Sequence, residues 1–220
     1  QCRAARQAID ASGMVVETLA SGMSWGCNPV SDNDSTRKRA IELHDGAIRV
    51  AAEIGLEALL FVPGNLVEDG KSIRYDLAYD RAQQAVETLL ITAESCGVDL
   101  LIENVWNGLF YSPLELCRFI DAFDHPRLGV YFDAGNLLGI HQHPADWIPI
   151  LGNRIKRVHI KDFDCATHAF CDLGKGDLPW PACKSALDSI GYSRTIVAEM
   201  FPWDEGLVQR TAETMRGWMS

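Results

Sequence analysis

Four ionisable side chains stand at or near the C-terminal ends of apolar runs. Glu103 closes LLIE, Asp133 closes GVYFD, His159 lies near the end of KRVHI, and Glu199 lies near the end of TIVAE. An ionisable group at the end of a buried strand is costly without a partner or a cation. Two Glu, one Asp and one His make an oxygen-rich set with one imidazole. Such a set suits Mn²⁺, Mg²⁺, Co²⁺ or Zn²⁺ and does not suit a thiolate-seeking metal. Each residue taken alone could be a separately satisfied strand end; four on successive strands point to one spot.

The elements that must position them alternate along the chain. A helix over CRAARQAIDAS is ended by Gly13, and a β-branched run covers residues 14–20. A long amphipathic helix runs from about Ser35 to Gly55, then a strand covers 56–63 and a helix runs from about Leu77 to Gly97. The strand 98–104 precedes a helix with a clean start: Ser112 as N-cap, Pro113 in the first turn and Glu115 at capping-box spacing. Strands follow at 127–133, 155–160 and 195–200, with helices at about 146–151, 180–190 and 205–219. The strands are short and apolar on both faces, and the helices between them are amphipathic, the pattern of a parallel sheet covered by helices. A doubly wound sheet and a barrel both fit this periodicity. In a barrel the C-terminal ends of different strands converge on one site.

Composition narrows the function classes. The formal charge of −10 is a poor footprint for a phosphate-backbone binder, so no nucleic acid is expected. No apolar run approaches a membrane span. The N-terminus has no apolar leader region. The 7 Cys have no C-x-x-C spacing, which predicts reduced, mostly buried thiols and a cytoplasmic protein. The chain has 220 residues, somewhat fewer than the ~250 of a typical (β/α)₈ barrel.

The segments LLIENVWN, RLGVYFDAGN, RVHIKDFD, DLGKGDLPWPA and TIVAEMFPWDEG resemble the sugar (phosphate) isomerase/epimerase family of the xylose-isomerase-like TIM-barrel superfamily. The successive spacings of 30, 26 and 40 residues between the four groups are most similar to 3-epimerases of the L-xylulose 5-phosphate and L-ribulose type. The resemblance implies that Glu103, Asp133, His159 and Glu199 hold one divalent metal, Mn²⁺ foremost, and that Glu103 and Glu199 are also the acid/base pair. The chemistry agrees. A metal polarises a carbonyl and stabilises a cis-enediolate, one carboxylate removes the neighbouring proton, and a second on the opposite face returns one.

Asn136, Lys161, Trp106 and Trp203 are the expected substrate contacts, with Phe201 beside the tryptophans. Lys161 in H-x-K-D steers a hydroxyl or phosphate, or is a solvated loop lysine; Gly174 and Gly176 approach substrate or simply make a tight turn. The tagatose/psicose-type enzymes carry His, Arg and Glu where this chain has Asn136, Cys165 and Leu109, which points away from a free hexulose. The other histidines, at 44, 125, 141, 143 and 168, are expected in surface or capping roles. The expected molecule is one barrel domain over residues 1–220, lacking the equivalent of the first strand, first helix and second strand. It acts on a ketose or ketose phosphate, as a homo-oligomer. The alternatives are a lyase of the same barrel (inosose dehydratase-like or 3-oxo-glycoside deglycosidase-like), an endonuclease IV-like hydrolase needing a three-zinc cluster, and a non-catalytic metal-binding remnant.

Overall fold

The computed structural model describes residues 1–219. Helix α1 (Cys2–Ser12) ends at Gly13, which takes the left-handed conformation with φ 65°. Strand β1 (Thr18–Leu19), a single-turn helix α2 (Met23–Gly26) and the long α3 (Asp34–Glu53) follow. Strand β2 (Ala58–Phe61) leads into a hairpin of β3 (Val67–Glu68) and β4 (Lys71–Ser72), then α4 (Tyr75–Cys96), β5 (Asp99–Glu103) and α5 (Pro113–Asp121). Strand β6 (Leu128–Asp133) runs directly into α6 (Ala134–Leu138), and α7 (Pro144–Leu151) precedes β7 (Ile155–Ile160). A second hairpin, β8 (Asp162–Asp164) and β9 (Ala169–Cys171), is followed by α8 (Trp180–Ser189), β10 (Ile196–Ala198) and α9 (Leu207–Met219).

Strands β1, β2 and β5 lie side by side in that order, and so do β6, β7 and β10. In each set the spatial order is the sequence order. A doubly wound sheet reverses its strand order at a switch point; neither set does, and the alternation is the winding of a TIM-type α/β barrel. By compactness the chain divides into two units, 1–109 with 119–129, and 110–118 with the chain from 130 onward.

In the first unit β2 pairs in parallel with β5, Leu59 beside Leu100 and Phe61 beside Ile102. All four of these side chains are fully buried, each stabilising the fold by ~1.5–3 kcal/mol. Helices α3 and α4 pack on each other and on these strands. Their buried faces are rich in alanine (Ala40, Ala47 and Ala51; Ala78, Ala82, Ala85 and Ala93), which lets the helix backbones approach closely. The cap of α3 is Asn33, two residues earlier than the expected start, and its side chain accepts the Ser35 N–H at 2.9 Å.

In the second unit β6 pairs in parallel with β7, and β7 with β10. Every residue of β6 is buried. The Trp180 ring stacks on Trp218, centroids 5.3 Å apart, which fastens α9 to α8.

Several expectations change. The strand expected over residues 14–20 is only Thr18–Leu19, because only these two residues register with β2; Met14 and Val15 are exposed. The β3–β4 hairpin was not anticipated. Its turn is Asp69-Gly70, both with positive φ, the Asp-Gly pair that a two-residue hairpin turn demands. His44 is not a surface or capping group. It is 1% exposed, with Nδ1 2.7 Å from the Ala40 carbonyl and Nε2 3.1 Å from the Ser24 hydroxyl. Burial pushes its imidazole below the ordinary value, against the Ala40 bond, which raises it. The thiols are free, but of the seven only Cys183 is buried and Cys165 is exposed. Among the described residues no helix is long and apolar enough to cross a membrane.

Candidate metal centre

The site is built where β6, β7 and β10 end. Parallel register sets Asp133 beside His159, and His159 beside Val197. Glu199 lies one residue past β10, its N–H donating to the Ile160 carbonyl at 2.9 Å. Side chains alternate faces along a strand, so Tyr131 and Asp133 share a face of β6, and Arg157 and His159 share one of β7. The Tyr131 ring lies 4.2 Å from the His159 ring, centroid to centroid.

Asp133 has two tasks. It is the N-cap of α6, and its Oδ1 accepts the Asn136 N–H at 2.8 Å. That bond orients the carboxylate and leaves Oδ2 facing the other groups. Oδ2 lies 3.9 Å from His159 Nδ1, and Glu199 Oε2 lies 3.8 Å from the same nitrogen. Asp133 is fully buried and His159 nearly so, whereas the Glu199 side chain is 39% exposed. Of the three, Glu199 is therefore the one whose carboxylate solvent reaches.

Lys161 is brought to the same place. Its ammonium is 3.0 Å from Asp133 Oδ2 and is hydrogen-bonded and ion-paired to Glu199 Oε2. It is 4% exposed, so the solvated-lysine reading is corrected. Burial works to raise the Glu199 carboxyl. The Lys161 charge and hydrogen bond, with His159 and Asp133 beside it, outweigh burial and hold it below its ordinary value.

Glu103 ends β5 in the first unit and is buried. Within the second unit, Asp133, His159 and Glu199 form a group able to hold a metal ion. The ligand atoms of Asp133, His159 and Glu199 lie within 4.8 Å of one another. Carboxylate oxygens with one imidazole nitrogen fit a hard or borderline divalent ion.

The remaining expected residues are placed as follows. Asn136 is buried in α6. Trp106 lies in the loop after β5, half-exposed, and Trp203 is 73% exposed. Phe201 packs edge-to-face on Phe170 at 4.8 Å; Phe170 was not among the expected substrate contacts.

The Gly174/Gly176 turn is a structural device. Asp162 Oδ2 accepts the N–H groups of Gly174 and Gly176 at 2.8 and 3.1 Å, and Oδ1 accepts those of Phe163 and Leu178, each at 2.9 Å. Successive backbone N–H groups of this kind form an anion nest, and here an internal carboxylate fills it. The tight-turn reading holds: the Gly174 and Gly176 N–H groups are taken up by Asp162. The D of H-x-K-D was the visible signal for this role. Of the other histidines, His125 Nδ1 accepts the Arg127 N–H at 3.1 Å, and His143 stands at the N-cap position of α7 beside Asp146, its side chain making no cap bond.

Comparison with known proteins is consistent with this architecture. Residues 1–218 match the family described as the xylose isomerase-like TIM barrel. An uncharacterised protein of Methanocaldococcus jannaschii is 27% identical over 192 residues, 84% of this chain and 64% of that protein. The D-psicose 3-epimerase of Ruminiclostridium cellulolyticum is 25% identical over 126 residues, 56% of this chain and 41% of the enzyme. The chain thus spans less than two thirds of the length of these curated relatives. The crystal structure of D-psicose 3-epimerase with D-tagatose from Clostridium cellulolyticum H10 superposes with a TM-score of 0.87 at 19% identity, covering 100% of this chain and 82% of that one.

Proposed function

We propose that this chain, which belongs to the xylose isomerase-like TIM barrel family, is a divalent-metal-dependent sugar epimerase or isomerase that moves a proton next to the carbonyl of a ketose or ketose phosphate. The observation that carries the reading is the convergence of two carboxylates and an imidazole, Asp133, Glu199 and His159, at the adjacent ends of β6, β7 and β10. The sequence relationship to D-psicose 3-epimerase supports the reaction class.

In this reading Glu103, Asp133, His159 and Glu199 are the ligands of one divalent ion, Mn²⁺ foremost. When bound, the ion supplies a Lewis acid for adjacent carbonyl and hydroxyl oxygens. The protein's own groups move the proton. Glu199 accepts a proton from the carbon beside the carbonyl, and Glu103 returns one from the other side. A cis-enediolate lies between these two transfers. Asn136 and Lys161 orient ligand oxygens, and Trp106 and Trp203 offer ring faces to the sugar's C–H surface. A homo-oligomer in the cytoplasm, acting on a small sugar and on neither nucleic acid nor membrane, completes the proposal.

The test is proton NMR in D₂O with the Mn²⁺-treated protein, across ketoses, ketose phosphates and 3-oxo-glycosides. Deuterium is expected at one carbon next to the carbonyl of one substrate class. Glu199→Gln is expected to lose this exchange by at least 10³-fold, the scale of general acid–base catalysis. Release of water or an aglycone without epimer formation would replace the epimerase reading with a lyase. Near-normal exchange in Glu199→Gln would remove the acid/base role.

A further inference from the structure

Lys161 holds the same two oxygens that face the imidazole, Asp133 Oδ2 and Glu199 Oε2. We propose that its ammonium is an exchangeable internal cation: it neutralises Asp133 and Glu199 in the metal-free protein and yields both oxygens to an arriving divalent ion, shifting onto the faces of Phe170 and Phe201. The inference rests on the metal-centre reading above.

Three observations carry it. First, a divalent ion bonded to His159, Asp133 and Glu199 sits ~2.0–2.2 Å from its ligand atoms. The ammonium, 3.0 Å from Asp133 Oδ2, occupies that side of the same oxygens, and two cations repel at such range. Second, the movement has a defined pivot. A Cβ on Gly135 would collide with the Lys161 Cγ and carbonyl, so the stem is held tightly against α6 and displacement falls to the end of the side chain. Third, a second seat is already built. Nζ lies 5.3 Å from the Phe170 ring centroid and 5.3 Å from that of Phe201, within the ~6 Å reach of a cation–π contact. The ammonium can leave the carboxylates without moving into bulk water. Once there, it is a donor freed for a hydroxyl or carbonyl oxygen of a ligand, which gives Lys161 a role in substrate orientation only in the metal-loaded protein.

Equilibrium dialysis with Mn²⁺ on the full chain tests this in the wild type, Lys161→Met, Lys161→Arg and Asp133→Asn. Each metal-free protein is also melted. Exchange predicts at least tenfold tighter Mn²⁺ binding by Lys161→Met, and a lower melting temperature than wild type only without metal. Lys161→Arg, which keeps the charge, binds no more tightly than wild type. Binding by Lys161→Met with none by the wild type also supports the proposal.

Equal or weaker binding by Lys161→Met, with wild-type binding that Asp133→Asn abolishes, overturns the exchange and leaves the metal centre standing. Absence of Mn²⁺ binding in both wild type and Lys161→Met overturns both. Should Lys161→Met not fold, ¹⁵N-lysine NMR of the wild type decides. The Lys161 ζ resonance, identified by its loss in Lys161→Arg, must shift on saturation with Mg²⁺ or Zn²⁺; an unmoved resonance overturns the proposal.

Discussion

Asp133 shows how one side chain ties local structure to chemistry. One oxygen satisfies an orphan N–H at the start of α6, and the other faces His159 and Lys161. Asn is as good an N-cap as Asp, so Asp133→Asn separates the two tasks. The cap is kept, so any fall in melting temperature below the metal-free wild type reports only the lost Lys161 pairing. Its Mn²⁺ affinity is expected to fall by more than the ~10–100-fold that loss of an outer-shell partner costs, measured by calorimetric titration. Wild-type affinity in this variant would take Asp133 out of the ligand set. The residue types and spacing were readable directly, because an ionisable group closing an apolar strand stands out against its neighbours. The Lys161 pairing was not, since Lys161 reaches Glu199 across 38 positions of sequence.

At the scale of elements, the loop after β9 depends on a single carboxylate. Asp162 accepts four backbone N–H groups, and a Cβ on Gly176 would press into Asp162 and the Phe163 carbonyl. Asp162→Ala strands donors near the buried Leu178, at a cost of roughly 3 kcal/mol by the usual penalty for losing a charged acceptor. Urea unfolding is the measurement, and a loss under 1 kcal/mol would mean that water replaces the carboxylate. Helices were legible from caps and breakers: Gly13 and Gly97 both take positive φ where α1 and α4 end. The Asp69-Gly70 turn carried an equally clear local signal. The β8–β9 hairpin did not, because its strands are three residues each, too short for alternation to register. His44 was misplaced because helical position says which face a residue is on, not that α2 would come to cover it.

For the whole molecule, the metal reading makes stability a matter of mass action. A ligand at 100-fold its dissociation constant adds ~2.7 kcal/mol to a folded state that alone binds it. For a chain of this size that is a rise of about 5–10 °C in melting temperature. Treatment with EDTA should lower the transition by that amount and Mn²⁺ or Co²⁺ should restore it; indifference to both would remove a resident metal. The sequence by itself determined the strand–helix alternation, the buried character of the strands and the four candidate ligands, because these follow from local hydrophobic pattern and from where charge interrupts it. Periodicity left a barrel and a doubly wound sheet open, and the motif segments pointed to the barrel by resemblance. Tertiary structure bears the barrel out: neither β1, β2 and β5 nor β6, β7 and β10 reverse their order. The same register brought Asp133, His159 and Glu199 to one level and set the Lys161 ammonium on their oxygens. Pattern fixes which face of an element is buried; the pairing of distant strands fixes which buried groups meet.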